Sequence, residues 1–164
     1  MMTSFDQIRK EASARGNKRL VIAPVTAATD LSALSAAVAD GLVFPVLVGD
    51  GRAAASWAGR EKIPAAHLEI VDEPDEAKAL AAAIDMLQKG TAEILMRGGM
   101  GPKGFLEAVL DRQKGLLKER VASLVSVFDP PGVNRVTMAT DTYVNSFPSI
   151  VEKVTITENV IRLA

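Results

Sequence analysis

The chain has 164 residues, of which 48% are hydrophobic and 24% charged, with 19 Lys and Arg, 20 Asp and Glu, and no cysteine. This size predicts a single domain over residues 1–164, and the lack of cysteine excludes disulfides, Cys-ligated metals and thiol nucleophiles. A formal charge of -1, five Phe, one Trp and one Tyr give no basis for binding nucleic acid. Because no apolar run approaches the roughly 18 residues of a membrane span, we expect a cytoplasmic protein without membrane contacts.

Apolar, β-branched runs alternate with Ala-rich amphipathic stretches in the first half of the chain, as in parallel strands joined by helices. Thr29 and Asp30 predict the N-cap of a helix that ends near Gly41. An Ala-rich helix is predicted at 52–59. Strands are predicted at 20–25, 44–50 and 68–71.

The second half continues the alternation. A turn at 72–75 starts a helix that ends at Gly90, and a strand at 92–96 runs into a glycine-rich loop and then a helix opened by Phe105. Further strands are predicted at 121–128 and 135–140. The segment 149–163 stays open, because its apolar spacing suits a helix while its many β-branched residues give poor helical support. We expect an α/β fold with a three-layer, doubly wound, mostly parallel sheet.

Ligands bind beyond the carboxyl ends of the strands in such sheets, so the loops there hold the candidate residues. The loop 97–104, RGGMGPKG, contains four glycines and two cations. Glycine lets the backbone approach a ligand, and N–H groups at the start of the following helix can face an anion. This pattern predicts a site for phosphate or a phosphorylated cofactor, but a merely sharp connection is an equal alternative.

Two other loops follow predicted strands. In the loop 140–148, Asp141 lies four residues before Asn145 and could orient a substrate group or hold a cation. Spacing alone favours the alternative in which both residues satisfy the turn and cap the final helix. The loop 26–30 is oxygen-rich and has mainly structural character. His67 is expected on the surface.

Several segments occur in an order that resembles the phosphate acetyltransferase/phosphate butyryltransferase family, and the butyryl branch in particular. The resemblance implies a fold similar to isocitrate/isopropylmalate dehydrogenases, with the second domain largely missing here. It implies transfer of a short-chain acyl group, acetyl or butyryl, between acyl-CoA and inorganic phosphate, with coenzyme A as a substrate rather than a bound cofactor and without a metal. The similar segments are GLVFPVLVGD (41–50), LEIVDEPDEAKAL (68–80), AEILMRGG (92–99), FLEAVLDRQKGLL (105–117), VASLVSVFDPPGVNRVTMATDTYVN (121–145) and KVTITENVIRLA (153–164).

The resemblance also implies roles for individual residues. Asp141 and Asn145 match the family's D-x-x-x-N element and are the implied catalytic pair near the thioester. The family usually has hydroxyl side chains where this chain has Gly101 and Pro102, and an Arg where it has Glu107. These departures weaken or reverse anion binding. The implied substrate-binding residues are Arg97, Gly98, Lys103, Arg135 and Thr140.

Two alternatives follow from those departures and from the missing domain. The chain could be a catalytically degenerate subunit that binds an acyl-CoA-like ligand or a partner chain. It could also be one part of a divided enzyme, in which case exposed apolar surface would favour a homo-oligomer or a complex with a chain that supplies the missing half.

Overall fold

The computed structural model describes residues 4–117 and 121–164. These residues form two compact units. The first unit is Ala12–Leu116, and the second unit consists of the described residues before Ala12 and after Leu116. The chain starts with α1 (Phe5–Ala14). None of the helices in the described ranges is long and apolar enough to cross a membrane.

The first unit is an α/β arrangement around a parallel sheet, as predicted. The strands lie in the order β3-β2-β1-β4, and every neighbouring pair is parallel. The elements are β1 (Lys18–Val25), α2 (Leu34–Ala39), β2 (Val43–Gly49), α3 (Gly51–Arg60), a short 3₁₀ helix (Ala65–His67), β3 (Glu69–Asp72), α4 (Glu76–Gln88), β4 (Ile94–Arg97) and α5 (Pro102–Val109).

Two central strands, β1 and β2, carry the core of the first unit. Alternate side chains of a strand point to opposite faces of a sheet, so each of these strands contributes side chains to two hydrophobic clusters. Ile22 and Leu47 pack with Trp57 of α3 on one face. Val21 packs with Ala79 of α4 on the other. Helices therefore cover both faces of this sheet.

The start of α2 differs from its prediction. The helix begins at Leu34, after an Ala33 cap that makes no side-chain hydrogen bond, so the predicted N-cap at Thr29 and Asp30 is wrong. Both residues hold turns instead: Thr29 Oγ1 accepts the Thr26 N–H at 2.8 Å, and Asp30 Oδ1 accepts the Ser32 N–H at 2.9 Å. Short polar side chains often satisfy nearby backbone in this way, in competition with helix formation.

Charged groups fasten the amino ends of the strands. The Arg19 guanidinium on β1 donates to Glu69 on β3 at 2.7 Å and to the Thr91 carbonyl at 2.8 Å, and it lies 5.3 Å from the Phe44 ring centre. Its N–H donates to Glu93 at 2.8 Å, and Lys18 pairs with the same carboxylate at 3.0 Å. The side-chain hydrogen bond from Lys18, followed by the Arg19 N–H, lowers the pKa of Glu93. These interactions lie at the amino ends of the strands, opposite to the loops that follow the strands.

The second unit contains β5 (Val125–Phe128), β6 (Thr137–Thr140) and α6 (Ile150–Leu163). The two strands pair antiparallel as a separate two-stranded sheet. The open question about 149–163 is resolved in favour of a helix. Ser149 and Glu152 form a capping box at its start, in which side chains satisfy N–H groups that the first turn leaves free.

Two finer expectations stay predictions: a likeness to isocitrate/isopropylmalate dehydrogenases, and a single domain over residues 1–164. His67 is exposed, as predicted. The predicted helices at 52–59 and from 72–75 to Gly90 correspond to α3 and α4.

Candidate functional site

The strand order places a topological switch point between β1 and β4. The chain proceeds from β1 to β2 and β3 in one direction, and β4 is then added on the other side of β1. Ligands in open α/β sheets bind where the strand order reverses, outside the carboxyl ends of the strands. Loops 26–30 and 97–104 follow the two strands at this point, so they form the candidate site of the first unit.

Gly98 and Gly99 bring these two loops into contact. A Cβ on Gly98 would lie 2.0 Å from the Pro24 carbonyl oxygen, and one on Gly99 would lie 2.2 Å from Thr26 Oγ1. Real Cβ atoms do not approach other atoms this closely, so both positions have room for glycine only. The glycines predicted to permit a close backbone approach do so, but towards β1 and its loop.

The same contacts use two N–H groups that the sequence suggested for an anion. The Gly98 N–H donates to the Ala23 carbonyl at 3.0 Å, and the Gly99 N–H donates to the Pro24 carbonyl at 2.8 Å. The role of Gly98 in substrate binding stays a prediction, and in this arrangement its N–H does not provide it.

Other donors of the loop remain available. In the first turn of α5, the N–H groups of Lys103 and Gly104 have no hydrogen-bond partner among the described residues. Four N–H groups at every helix start lack partners within the helix, and the helix dipole makes them attractive to anions. Gly101 caps α5 without a side-chain hydrogen bond, and Pro102 follows at the first position, where a missing N–H has no cost.

Arg97 is the cation held in this loop. Its guanidinium donates to the Met100 carbonyl, which fixes the side chain beside the turn while its other N–H groups stay exposed. Lys103 Nζ lies 3.9 Å from Glu107 Oε1, and both side chains are largely exposed. Glu107 therefore offsets part of the Lys103 charge, and Arg97 is the stronger candidate for holding an anion.

Asp141 and Asn145 lie together in the loop that follows β6 in the second unit. Asp141 accepts hydrogen bonds from the N–H groups of Tyr143, Val144 and Asn145 at 3.0, 3.0 and 3.1 Å. The Asn145 amide group donates to Asp141 and to the Ala122 carbonyl. The pair thus satisfies the turn, as the structural alternative predicted, while the helix cap predicted with it is provided by Ser149.

Competing effects act on the pKa of Asp141. Partial burial raises this pKa, but the N–H groups of Tyr143 and Val144 and the Asn145 amide stabilise the carboxylate, so the pKa lies below its ordinary value. Asp141 is ionised at neutral pH, and an ionised carboxylate accepts hydrogen bonds but donates none. Both hydrogens of the Asn145 amide are engaged, which leaves its carbonyl oxygen as the open polar atom.

The remaining predicted residues of the second unit have simpler settings. Thr140 Oγ1 donates to the Leu124 carbonyl at 2.8 Å. Arg135 was predicted within a strand, but it lies in the turn before β6, where its N–H donates to the Val133 carbonyl at 2.7 Å. Its side chain is exposed. The catalytic and binding roles of all these residues stay predictions.

Sequence reasoning underestimated Thr26 and Thr29. Their hydroxyl oxygens lie 3.3 Å apart, and Thr26 lies directly against Gly99. The adjacent glycines at 98 and 99 were a signal that some other segment approaches the loop, but they do not reveal which segment it is.

The fold and the two loops define a class: an α/β protein with a polar, cation-bearing switch point at the edge of a parallel sheet. Comparison with known proteins identifies its relatives. No family model matches the chain. It is 29% identical over 164 residues, all of this chain and 54% of the relative, to a phosphate butyryltransferase of Clostridium acetobutylicum.

Two further relatives agree. A phosphate butyryltransferase of Clostridium beijerinckii is 28% identical over the whole chain and 54% of its own length. A phosphate acetyltransferase of Rhizobium meliloti is 29% identical over 98% of the chain and 51% of its own length. These relatives confirm the resemblance to the phosphate acetyltransferase/phosphate butyryltransferase family. The chain spans about half the length of the curated relatives it matches.

Proposed function

We propose that the chain takes part in the transfer of a short-chain acyl group between acyl-CoA and inorganic phosphate. The observation that carries the proposal is the exposed Arg97 guanidinium, held on the loop that leads into α5 at the switch point, together with the unpartnered N–H groups in the first turn of that helix. The names of relatives aligned over nearly the whole chain support the same reaction. The sequence-based expectation of a cytoplasmic protein is part of the proposal.

The reaction explains why these donors are useful. A phosphate oxygen attacks the thioester carbon, a C–O bond forms, the C–S bond breaks, and the thiolate of coenzyme A leaves and takes up a proton. Phosphate is negatively charged, so the site needs cationic and N–H groups that hold it in place until it attacks. A guanidinium matches two phosphate oxygens at once, and N–H groups at a helix start add donors for the others. Arg97, Lys103 and Gly104 would fill these roles.

Asp141 and Asn145 enter the proposal as the predicted catalytic pair. In the arrangement described, both amide hydrogens of Asn145 are engaged, so neither is free to stabilise an acyl oxygen. Their hydrogen bonds support a structural role, in which the two residues fix the shape of the loop after β6. Arg135 and Thr140 remain predicted substrate-binding residues of the same segment.

The proposal includes association with other chains, either as a homo-oligomer or with a chain that supplies the part of the relatives that this sequence does not cover. Exposed apolar side chains in the second unit support it: Phe147 is 99% exposed, Ile150 82% and Val151 76%. Exposed apolar patches of this kind often mark interaction sites. Light scattering on the purified chain tests association directly, and a monomeric mass would contradict the homo-oligomer.

The activity is tested by mixing the purified chain with butyryl-CoA or acetyl-CoA and phosphate and measuring the free thiol of coenzyme A. The chain has no cysteine, so a thiol reagent detects only the product. We expect turnover, and we expect Arg97→Ala to lower kcat/KM for phosphate at least about tenfold, or about 1.4 kcal/mol. Arg112→Ala, which removes an exposed cation of the same unit outside the loop, is the matched control and should have no effect.

Glu107→Gln gives a second readout. Removing the carboxylate frees the Lys103 charge, so KM for phosphate should fall. No turnover by the unaltered chain would contradict the form of the proposal in which the chain catalyses the reaction alone or as a homo-oligomer. Turnover that is insensitive to Arg97→Ala would contradict the role of the loop.

A further inference from the structure

A small polar pocket of about 110 Å³ lies in the first unit, between α3 and the loop after β1. Four of its lining residues, at positions 53, 56, 57 and 60 of α3, recur at the spacing that places side chains on one face of a helix. Thr26 and Thr29 contribute from the loop. The lining contains one cation, Arg60, and no carboxylate. No residue of the loop 97–104 lines it.

Trp57 is one of the lining residues of this pocket. Its side chain is only 6% exposed, and no fully buried side-chain nitrogen or oxygen in the described residues lacks a hydrogen-bond partner. The indole N–H is a donor and never an acceptor, so Trp57 can add a donor to the pocket but no group that repels an anion.

The other polar groups of the lining also have donors to spare. Arg60 donates to Ser56 Oγ at 3.0 Å, which uses one of the five N–H groups of a guanidinium. Thr29 Oγ1 already accepts the Thr26 N–H at 2.8 Å, and the two threonine hydroxyls share one hydrogen bond at 3.3 Å. One of their two hydroxyl hydrogens is therefore still available. The pocket combines an excess of donors with a positive charge.

We propose that this pocket binds a compact tetrahedral oxyanion, such as inorganic phosphate, through Arg60, the Trp57 N–H and the hydroxyls of Thr26, Thr29 and Ser56. Donors on several sides suit four oxygens better than the two oxygens of a carboxylate. Sites for drug-sized molecules have volumes of about 300–1,000 Å³, so the pocket is too small for a nucleotide or a whole coenzyme A. The site does not depend on the proposed acyl transfer.

The chain provides its own probe, because Trp57 is its single tryptophan. We expect its fluorescence to change saturably on titration with sodium phosphate at constant ionic strength, and not with sodium chloride. Calorimetry under the same conditions reports binding even if the indole emission is insensitive. Arg60→Ala should weaken binding at least about tenfold, and Arg60→Lys should retain part of it. Arg52→Ala, on the same helix but outside the lining, is the matched control and should bind as the unaltered chain does.

Three results would overturn the inference. The first is the absence of a saturable signal by both methods, and the second is equal affinity in Arg60→Ala. The third is acetate binding as tightly as phosphate, which would refute the tetrahedral preference. If Arg97→Ala abolished phosphate binding while Arg60→Ala left it unchanged, the anion would belong to the loop 97–104. That outcome would refute this pocket and support the proposed function, so the two proposals can fail separately.

Discussion

Gly99→Ala should destabilise the first unit, because the added methyl group has no room between the two loops of the switch point. Its Cβ would lie 2.2 Å from Thr26 Oγ1, 3.0 Å from Thr29 Oγ1 and 3.1 Å from Thr26 Cγ2. Thr26 would have to rotate, which breaks the hydroxyl contact with Thr29 and the hydrogen bond from the Ala28 N–H at 3.3 Å. Overpacking costs about 1–3 kcal/mol and a lost hydrogen bond about 0.5–1.5 kcal/mol. We expect a total of about 2 kcal/mol.

Urea unfolding followed by Trp57 fluorescence measures this cost, since Trp57 packs in the core of the same unit. Gly101→Ala is the matched control in the same loop, where a Cβ meets no atom within 4 Å. It should cost about 0.5–1 kcal/mol, the difference expected between glycine and alanine at an N-cap. Thr26→Ala removes two of the three clashing atoms, so Gly99→Ala should cost about 1 kcal/mol less in that background.

The reasoning fails if Gly99→Ala costs no more than Gly101→Ala. It also fails if the effects of Gly99→Ala and Thr26→Ala add within about 0.5 kcal/mol, the limit for independent sites. Either result would mean that the loops do not press on each other as described.

Three further changes test other parts of the molecule. Ser149→Ala removes the cap of α6 and should cost about 1 kcal/mol, seen as lower urea resistance by circular dichroism; an unchanged midpoint would contradict the capping box. Because the pKa of Asp141 is lowered by folding, its stabilising contribution is complete above its ordinary pKa and is lost as pH falls through the folded value. The stability difference between Asp141→Asn and the unaltered chain should therefore shrink in acid, and a difference that grows in acid would contradict the sign of the shift. Leu47→Ala, at a fully buried position, should cost about 2–5 kcal/mol in urea unfolding, and a loss below about 1 kcal/mol would argue against a close-packed core.

Local sequence signals predicted most elements of the first unit, and they failed where several polar groups competed. Thr29 and Asp30 have the chemistry of N-caps, but their side chains bond to turn backbone before the helix begins. For α6 the decisive signal was present in the sequence as Ser149 and Glu152, three residues apart. In α6 the capping box favours the helix and the β-branched residues oppose it, and the helix forms.

The location of the candidate site could be predicted from the sequence, but its hydrogen bonds could not. The rule that ligands bind at the carboxyl ends of strands pointed to the loop of Arg97. The Gly98 N–H donates to the Ala23 carbonyl because β4 pairs with β1. Strand order depends on long-range contacts, so a local sequence pattern does not predict this hydrogen bond. Direction of pairing is hidden for the same reason, so the antiparallel arrangement of β5 and β6 could not be read from their apolar runs.

Because of the charged cluster around Arg19, the amino and carboxyl ends of the strands respond to different solution conditions. Salt screens exposed ion pairs, and acid protonates Glu93. Either condition therefore weakens the interactions at the amino ends of the strands. The contact of Gly99 with Thr26, at the carboxyl ends of the strands, is steric and does not respond to salt or to acid. Ionic strength therefore offers a way to soften one end of the sheet while the loops at the switch point keep their shape.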